Sequence, residues 1–276
     1  DQAAEFVHQI RVALRRLRSA LKVFAPALPN AFTETWPRRL RDNADRFGPA
    51  RDLDVLRTEL LDAIAPEWLI GTVTFRDLID AGFGERHPNP NFGWLAEGLR
   101  QLGIKPEQVT TGFLSHSHSD HLDGFVDNGK PAFPNAKIYL LKEEYDFWRG
   151  PNPDFSKSKR DKKPLPNMVK TICRNFDILK DQLVIAKDGQ KLFHDAVTVI
   201  AAPGHTDGHA CFEIRSGKES LVHISDVVHH HLLMFENVGW TVAMDHDPET
   251  AVKTRKKLFT RMAANKSRAF GFHLPW

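Results

Sequence analysis

The sequence predicts an α/β fold of stacked layers preceded by an all-helical segment, and three observations predict it. From about residue 68 onward, short apolar runs that end in turn residues alternate with helix-length stretches, the pattern of strands and helices laid down in layers. Residues 1–65 lack that alternation; their apolar positions recur at three- and four-residue steps instead. The histidines and aspartates with metal-binding chemistry fall at the ends of the predicted strands, where layered α/β folds place ligands. The division predicts two domains, a helical segment over 1–65 and a catalytic domain over 66–276.

Taken in order, Val7, Ile10, Leu14, Leu17, Leu21 and Phe24 draw one apolar stripe along a first helix. His8, Arg11, Arg15, Arg18 and Lys22 draw a basic stripe beside it at the same steps, and Ala25-Pro26 marks its stop. A second helix is predicted over 37–47, and a third after Gly48-Pro49 carries Leu53, Leu56, Leu60 and Leu61. Residues 71–79 read as a strand pair or one long strand ending at Asp80-Ala-Gly-Phe-Gly84, and 95–102 as a helix. A strand over 111–115 leads into a histidine cluster; a strand over 136–141 precedes a helix over 143–148. Residues 151–168 are rich in Pro, Lys and Ser and read as a surface loop, with 157–163 as a solvated basic face. A helix within 168–179 and strands over 182–186 and 196–202 follow, the last ending at Pro203-Gly-His-Thr206. Residues 210–215 and 220–224 form a hairpin around Ser216-Gly217-Lys218. Asp247 caps a helix with Pro248 at its first position, running to about Ala264.

Composition narrows the classes. At 276 residues, 41% hydrophobic and 26% charged, the chain suits one or two globular domains. A net charge of +3 calls for no nucleic-acid partner, and no apolar run reaches the length that spans a bilayer. No secretory leader opens the sequence. Cys173 and Cys211 stand outside any Cys-x-x-Cys pair, which predicts free thiols in a reducing, cytoplasmic compartment. Nothing in the sequence sets the oligomeric state, and a homo-oligomer stays open.

The most informative run is Leu114-Ser-His-Ser-His-Ser-Asp-His-Leu122. Alternation in an extended segment predicts His116, His118 and Asp120 on one side, with His121 following where the chain turns. Imidazole and carboxylate are donors that zinc and its neighbours accept. Downstream, His205, Asp226 and His273 stand at further strand ends. Five histidines and two aspartates exceed the four donors one tetrahedral ion needs and suit two divalent ions with a carboxylate between them. Zinc comes first, with manganese, iron or cobalt accepted by the same donors. Among the other histidines, His209 reads as a hydrogen-bonded core residue, His194 and His246 as structural, and one of His229, His230 and His231 is a candidate to reach the pocket.

In order, His116-Ser-His-Ser-Asp-His121, Pro203-Gly-His205, Ser225-Asp226 and His273 resemble the metal motifs of the metallo-β-lactamase superfamily, and Asp80-Ala-Gly82 its first motif. The resemblance implies an αββα sandwich in which His116, His118 and His205 hold one metal, Asp120, His121 and His273 the other, and Asp226 bridges. Such a sandwich normally has strands ahead of the Asp-x-Gly motif, where this chain has its helical segment, so the first strands are expected to be missing. Pro131-Ala-Phe-Pro-Asn-Ala136, Glu144-Tyr-Asp-Phe-Trp148, Asp226-Val-Val-His-His230 and Gly271-Phe-His-Leu-Pro275 resemble the branch containing methyl parathion hydrolase and lactonases. That branch implies hydrolysis of a small ester, lactone or phosphotriester by a hydroxide held between the metals. Asp120 would orient that hydroxide and carry a proton, and Trp148 would line an apolar pocket.

The segment Val7-His-Gln-Ile-Arg-Val-Ala-Leu-Arg-Arg-Leu-Arg-Ser-Ala-Leu-Lys-Val-Phe24 resembles the opening helix of CHAD domains, and Phe47-Gly-Pro-Ala-Arg-Asp-Leu-Asp-Val-Leu56 a second stretch of them. That resemblance implies polyphosphate binding by His8, Arg11, Arg15, Arg18 and Lys22, since arginine pairs well with phosphate oxygens. The chain therefore reads as a mosaic of two segments. Two rival functions follow: a polyphosphate-binding module fused to a metal-binding scaffold, and a mononuclear iron enzyme similar to persulfide dioxygenases.

Overall fold

A computed structural model of the chain describes residues 77–84, 93, 95–101, 103–217 and 219–274. The helices predicted over 1–65, the basic stripe from His8 to Lys22, the start of the 71–79 strand and the place of the expected missing strands lie outside these residues.

In chain order the elements are β1 (Asp77–Ile79), α1 (Leu95–Gln101), β2 (Thr111–Phe113), α2 (Ser119–Leu122), β3 (Val126–Asp127), β4 (Lys130–Pro131), β5 (Lys137–Leu141) and α3 (Lys142–Arg149). Then come α4 (Leu165–Leu179), β6 (Leu183–Ala186), β7 (Lys191–Leu192), β8 (Val197–Ala201), β9 (Ala210–Ser216), β10 (Glu219–His223), α5 (Leu233–Glu236), α6 (Pro248–Asn265) and β11 (Arg268–Phe270). β3 and β4 pair as a small antiparallel ribbon of their own; of the two larger sheets, one runs β1-β2-β5-β6 and is parallel throughout. The other runs β11-β10-β9-β8-β7, antiparallel except for the parallel β10–β11 pair.

Side-chain alternation turns these sheets into layers. On β5, Ile138 and Leu140 join the core under α3 and α4 with Trp148, Ile172, Phe176 and Leu179. Their neighbours Tyr139 and Leu141 point the other way, to a core shared with Phe113, Val197, Val199, Ala210 and Phe212. That second core lies between the two sheets. On the far face, Ile200, Cys211, Val222 and Ile224 pack with Leu258 of α6. The order is helices, sheet, sheet, helix: the predicted αββα sandwich. Among the described residues no helix is long and apolar enough to cross a membrane, and Cys173 and Cys211 are free thiols.

Two expectations need correction. The helix predicted within 168–179 begins at Leu165, because Pro166 falls in its first turn, where a missing N–H costs nothing. The stretch 157–163 is not a uniformly solvated face. Phe155 and Ser158 are buried, Lys162 donates to the carbonyls of Phe155 and Ser158, and Arg160 is half-buried against a histidine of the cluster. The cap of α6 is as predicted: Asp247 accepts from the Thr250 N–H at 3.0 Å.

Candidate metal centre

Every candidate ligand follows a strand. β2 delivers the 116–121 loop, β8 delivers His205, β10 delivers Asp226 and β11 delivers His273. His118 is extended, and the chain enters α2 at Ser119. Asp120 therefore does not alternate with His116 and His118 along an extended segment, as the sequence suggested. It sits in the helical turn beside His121. The backbone is strained at two sites here: Asp80 after β1 has φ 54° and Ser225 after β10 has φ 42°, a region non-glycine residues seldom occupy.

The seven candidate ligands converge as two sets. In the first, the His118 Nδ1 lies 3.0 Å from the His116 Nε2 and 3.0 Å from the His205 Nε2, and all three residues are buried. The second set is Asp120, His121, Asp226 and His273, whose ligand atoms lie within 4.8 Å of one another. Asp226 stands between the sets. Its Oδ2 is 3.3 Å from the His205 Nε2 and 3.2 Å from the His273 Nε2, while its Oδ1 is 3.2 Å from the His121 Nε2.

The donor set fits cations. Burial pushes the pKa values of His116, His118 and His205 down, so the three imidazoles are neutral bases with lone pairs converging on one point, as a metal requires. In the second set, burial is overridden by opposite charge. His121 is raised well above its ordinary value by Asp226 and Asp80, and His273 is raised to about 9 by hydrogen bonds to Asp120 and Asp226. Burial would raise Asp120 and Asp226, but the neighbouring histidines hold both carboxyls below the usual range. The two carboxylates of this set draw protons onto its two imidazoles, and a divalent cation would supply the same compensating charge. The His121 Nε2 and Asp226 Oδ1 are buried without hydrogen-bond partners, a costly arrangement that a bound cation relieves. Together the two clusters fit a dinuclear divalent metal site.

Surrounding groups orient the rings, as they do in metal sites generally. Asp80 accepts from the Ser115 N–H at 2.8 Å and hydroxyl at 2.7 Å, and its Oδ2 lies 2.8 Å from the His121 Nδ1. That contact turns the His121 Nε2 toward Asp226. Asp245 does the same for His205, its Oδ1 2.9 Å from the Nδ1. His209 is a hydrogen-bonded core residue, its Nε2 accepting the Asp226 N–H at 3.2 Å. Glu144 is fully buried and joins two ligand loops. It accepts from the Ser117 N–H at 2.7 Å, the Trp148 indole N–H at 2.7 Å, the Thr206 hydroxyl at 2.5 Å and the Gly208 N–H at 3.3 Å. Gly208 is required there, since a Cβ would stand 1.9 Å from the Glu144 nitrogen.

Asp245 and Glu144 were not legible as site residues. Asp245 lies in Met244-Asp-His-Asp247, beside the stronger capping signal of Asp247-Pro248, and Glu144 is marked in the sequence only as part of a branch motif. Trp148 is a correction. It is fully buried, so it offers no wall to a pocket; its ring stands 6.2 Å from that of His118, edge to face, and backs it. Of the three histidines after Asp226, His229 reaches the centre, its Nε2 3.1 Å from the Asp226 Oδ2, whereas His230 and His231 stack on each other.

Comparison with known proteins agrees with this geometry. Residues 1–103 match the family described as CHAD domain. The solved structure of AidC, a dizinc quorum-quenching lactonase in complex with the product N-hexnoyl-L-homoserine, is similar at 32% identity and TM-score 0.68, covering 72% of this chain and 69% of that one. The lactamase-like protein adaB of Aspergillus niger is 26% identical over 62% of this chain and 42% of its own length. An N-acyl homoserine lactonase of Bacillus cereus is 28% identical over 45% of this chain and 40% of its own. The chain thus spans about two fifths of the length of these curated relatives. Residues 68–257, which carry β1 to the start of α6 and every candidate ligand except His273, match the Metallo-beta-lactamase superfamily, and the chain belongs to that family.

Proposed function

We propose that this protein is a dinuclear zinc hydrolase that opens lactones, with simple esters and phosphotriesters as secondary substrates. The observation that carries the reading is Asp226, which meets both sets: its Oδ2 lies 3.3 Å from His205 and 3.8 Å from His116 of the first, and its oxygens lie 3.2 Å from His273 and 3.2 Å from His121 of the second. The likeness to AidC, a dizinc lactonase, supports both the metal and the bond cleaved. When bound, two divalent cations supply Lewis acidity, lowering the pKa of a water and polarising the carbonyl under attack. The chain's own residues do the rest. His116, His118 and His205 hold the first position, Asp120, His121 and His273 the second, and Asp226 faces both. Asp120 is partly exposed, with 21% of its side chain accessible, so it is the carboxylate placed to meet a water and pass its proton to the leaving oxygen. Asp80 and Asp245 fix the rings of His121 and His205.

The test is hydrolysis by the zinc-loaded full chain of γ-lactones, N-acyl homoserine lactones, aryl esters and paraoxon. Turnover of the lactones above the other classes supports the proposal; a folded, zinc-loaded protein inert on every substrate overturns it. The match of residues 1–103 to the CHAD family favours a second reading for the front of the chain: His8, Arg11, Arg15, Arg18 and Lys22 bind polyphosphate. Polyphosphate then raises the unfolding temperature, and replacing Arg11 and Arg15 removes the shift. A mononuclear iron enzyme needs only the first donor set, so one iron per chain would displace the zinc reading.

A further inference from the structure

The loop between α3 and α4 brings a cation to the metal centre. Phe155 is buried and packs its ring 5.8 Å from Trp148 and 4.9 Å from His246. Lys157 pairs with the α6 cap Asp247 at 2.6 Å, and the Ser158 hydroxyl, 3.4 Å from the Ala243 carbonyl, receives the Arg160 N–H at 3.3 Å. These contacts aim the half-buried Arg160 inward, where its Nη1 stops 3.3 Å from the His118 Nε2. Asp120 is the charge it senses most among the carboxylates, yet among the described residues it forms no ion pair.

That contact with His118 is incompatible with a loaded site. The His118 Nδ1 faces the His116 and His205 nitrogens. With Nδ1 used as the ligand atom, a neutral imidazole carries its hydrogen on Nε2. Nε2 then has no lone pair for a guanidinium, which has donors only. The guanidinium must find another acceptor, and two divalent cations nearby repel it unless an anion lies between.

Resting on the hydrolase reading above, we propose that Arg160 is the anion-recognising residue of the site: it binds the carboxylate released when the substrate ring opens. A planar guanidinium matches a carboxylate with two parallel hydrogen bonds. Arg160 therefore selects ligands with an acyl carboxylate on the His118 side of the centre, and its loop sets the affinity for product.

The test is calorimetric titration of the zinc-loaded full chain with 4-hydroxydecanoate, the ring-opened form of γ-decalactone. Inorganic phosphate and the neutral 5-hexylpyrrolidin-2-one serve as comparison probes. Wild type, R160M and R160K are compared, each with its zinc content measured. R160M loses about tenfold or more in affinity for the hydroxy acid, R160K regains part of it, binding of the lactam is unchanged and both zinc ions stay. Three results overturn the assignment: R160M binding the hydroxy acid as tightly as wild type, an equal loss for the lactam, or a larger loss for phosphate than for the carboxylate. Failure of the hydrolase reading is visible separately, as wild-type protein that neither holds two zinc ions nor opens γ-decalactone.

Discussion

Asp120 and Asp226 are neighbours in one cluster with different exposure, and that difference separates the roles we propose for them. Asp226 is buried among five histidines and is suited to gripping cations. Asp120 opens to solvent and is suited to moving a proton. Asp120→Asn keeps the shape but loses both the base and an anionic donor of the second position, so kcat on a lactone should fall by about 10²–10⁴-fold at saturating zinc while the second zinc is held more weakly than the first; steady-state kinetics with metal analysis checks both. At this scale the sequence was most legible. Metal donors come from a short list of residue types, so His116, His118, Asp120, His121, His205, Asp226 and His273 stand out without coordinates. Their supports do not. Asp245 reaches His205 from 40 positions away and Arg160 reaches His118 from 42, and carboxylates or arginines in loops carry no local mark of such contacts.

Two elements hold the ligand loops in place. The first is α3, whose Glu144 accepts hydrogen bonds from both the 116–121 loop and the 205–209 loop. Glu144→Gln turns one acceptor into a donor facing donors. It should destabilise the protein by about 2–3 kcal/mol and weaken metal retention, as read by denaturant unfolding and chelator competition. The second is α6. Gly204, at φ 129°, lets the His205 loop lie against its first turn; a Cβ there would stand 2.2 Å from the Ala251 nitrogen. The Asp247 cap is held at a pKa of about 2, first by Lys157 and then by the Thr250 N–H. A carboxyl depressed in the folded state adds stability above the unfolded carboxylate range and loses it as pH falls toward that folded value. Asp247→Ala should therefore cost about 1 kcal/mol near neutral pH, and its deficit should shrink between about pH 4 and pH 2; urea titrations across that range check it. Capping was legible because Asp-Pro at a helix start is a local signal. The start of α4 was not, because a proline in the first helical turn looks the same in sequence as a proline in a loop.

For the whole molecule, the αββα layers exist to bring strand ends from two sheets to one place. Asp80 and the 116–121 loop come from the parallel sheet, and His205, Asp226 and His273 from the other. Metal bound across that seam, as proposed, would tie the layers together. Stripping it with a chelator should lower the unfolding temperature and zinc should restore it, with about 4 kcal/mol at stake when free zinc exceeds its dissociation constant a thousandfold. Layering was legible from alternation and run length. The pairing order of the strands was not, since partners such as β2 and β5 or β10 and β11 are set by tertiary contacts rather than by local pattern. The most direct test of the account is anomalous diffraction from crystals of the zinc-loaded chain. Two zinc peaks roughly 3.5–4 Å apart, one among His116, His118 and His205, the other among Asp120, His121 and His273, with Asp226 facing both, is the predicted result. A single peak, or zinc bound elsewhere with these seven side chains left without it, would contradict it.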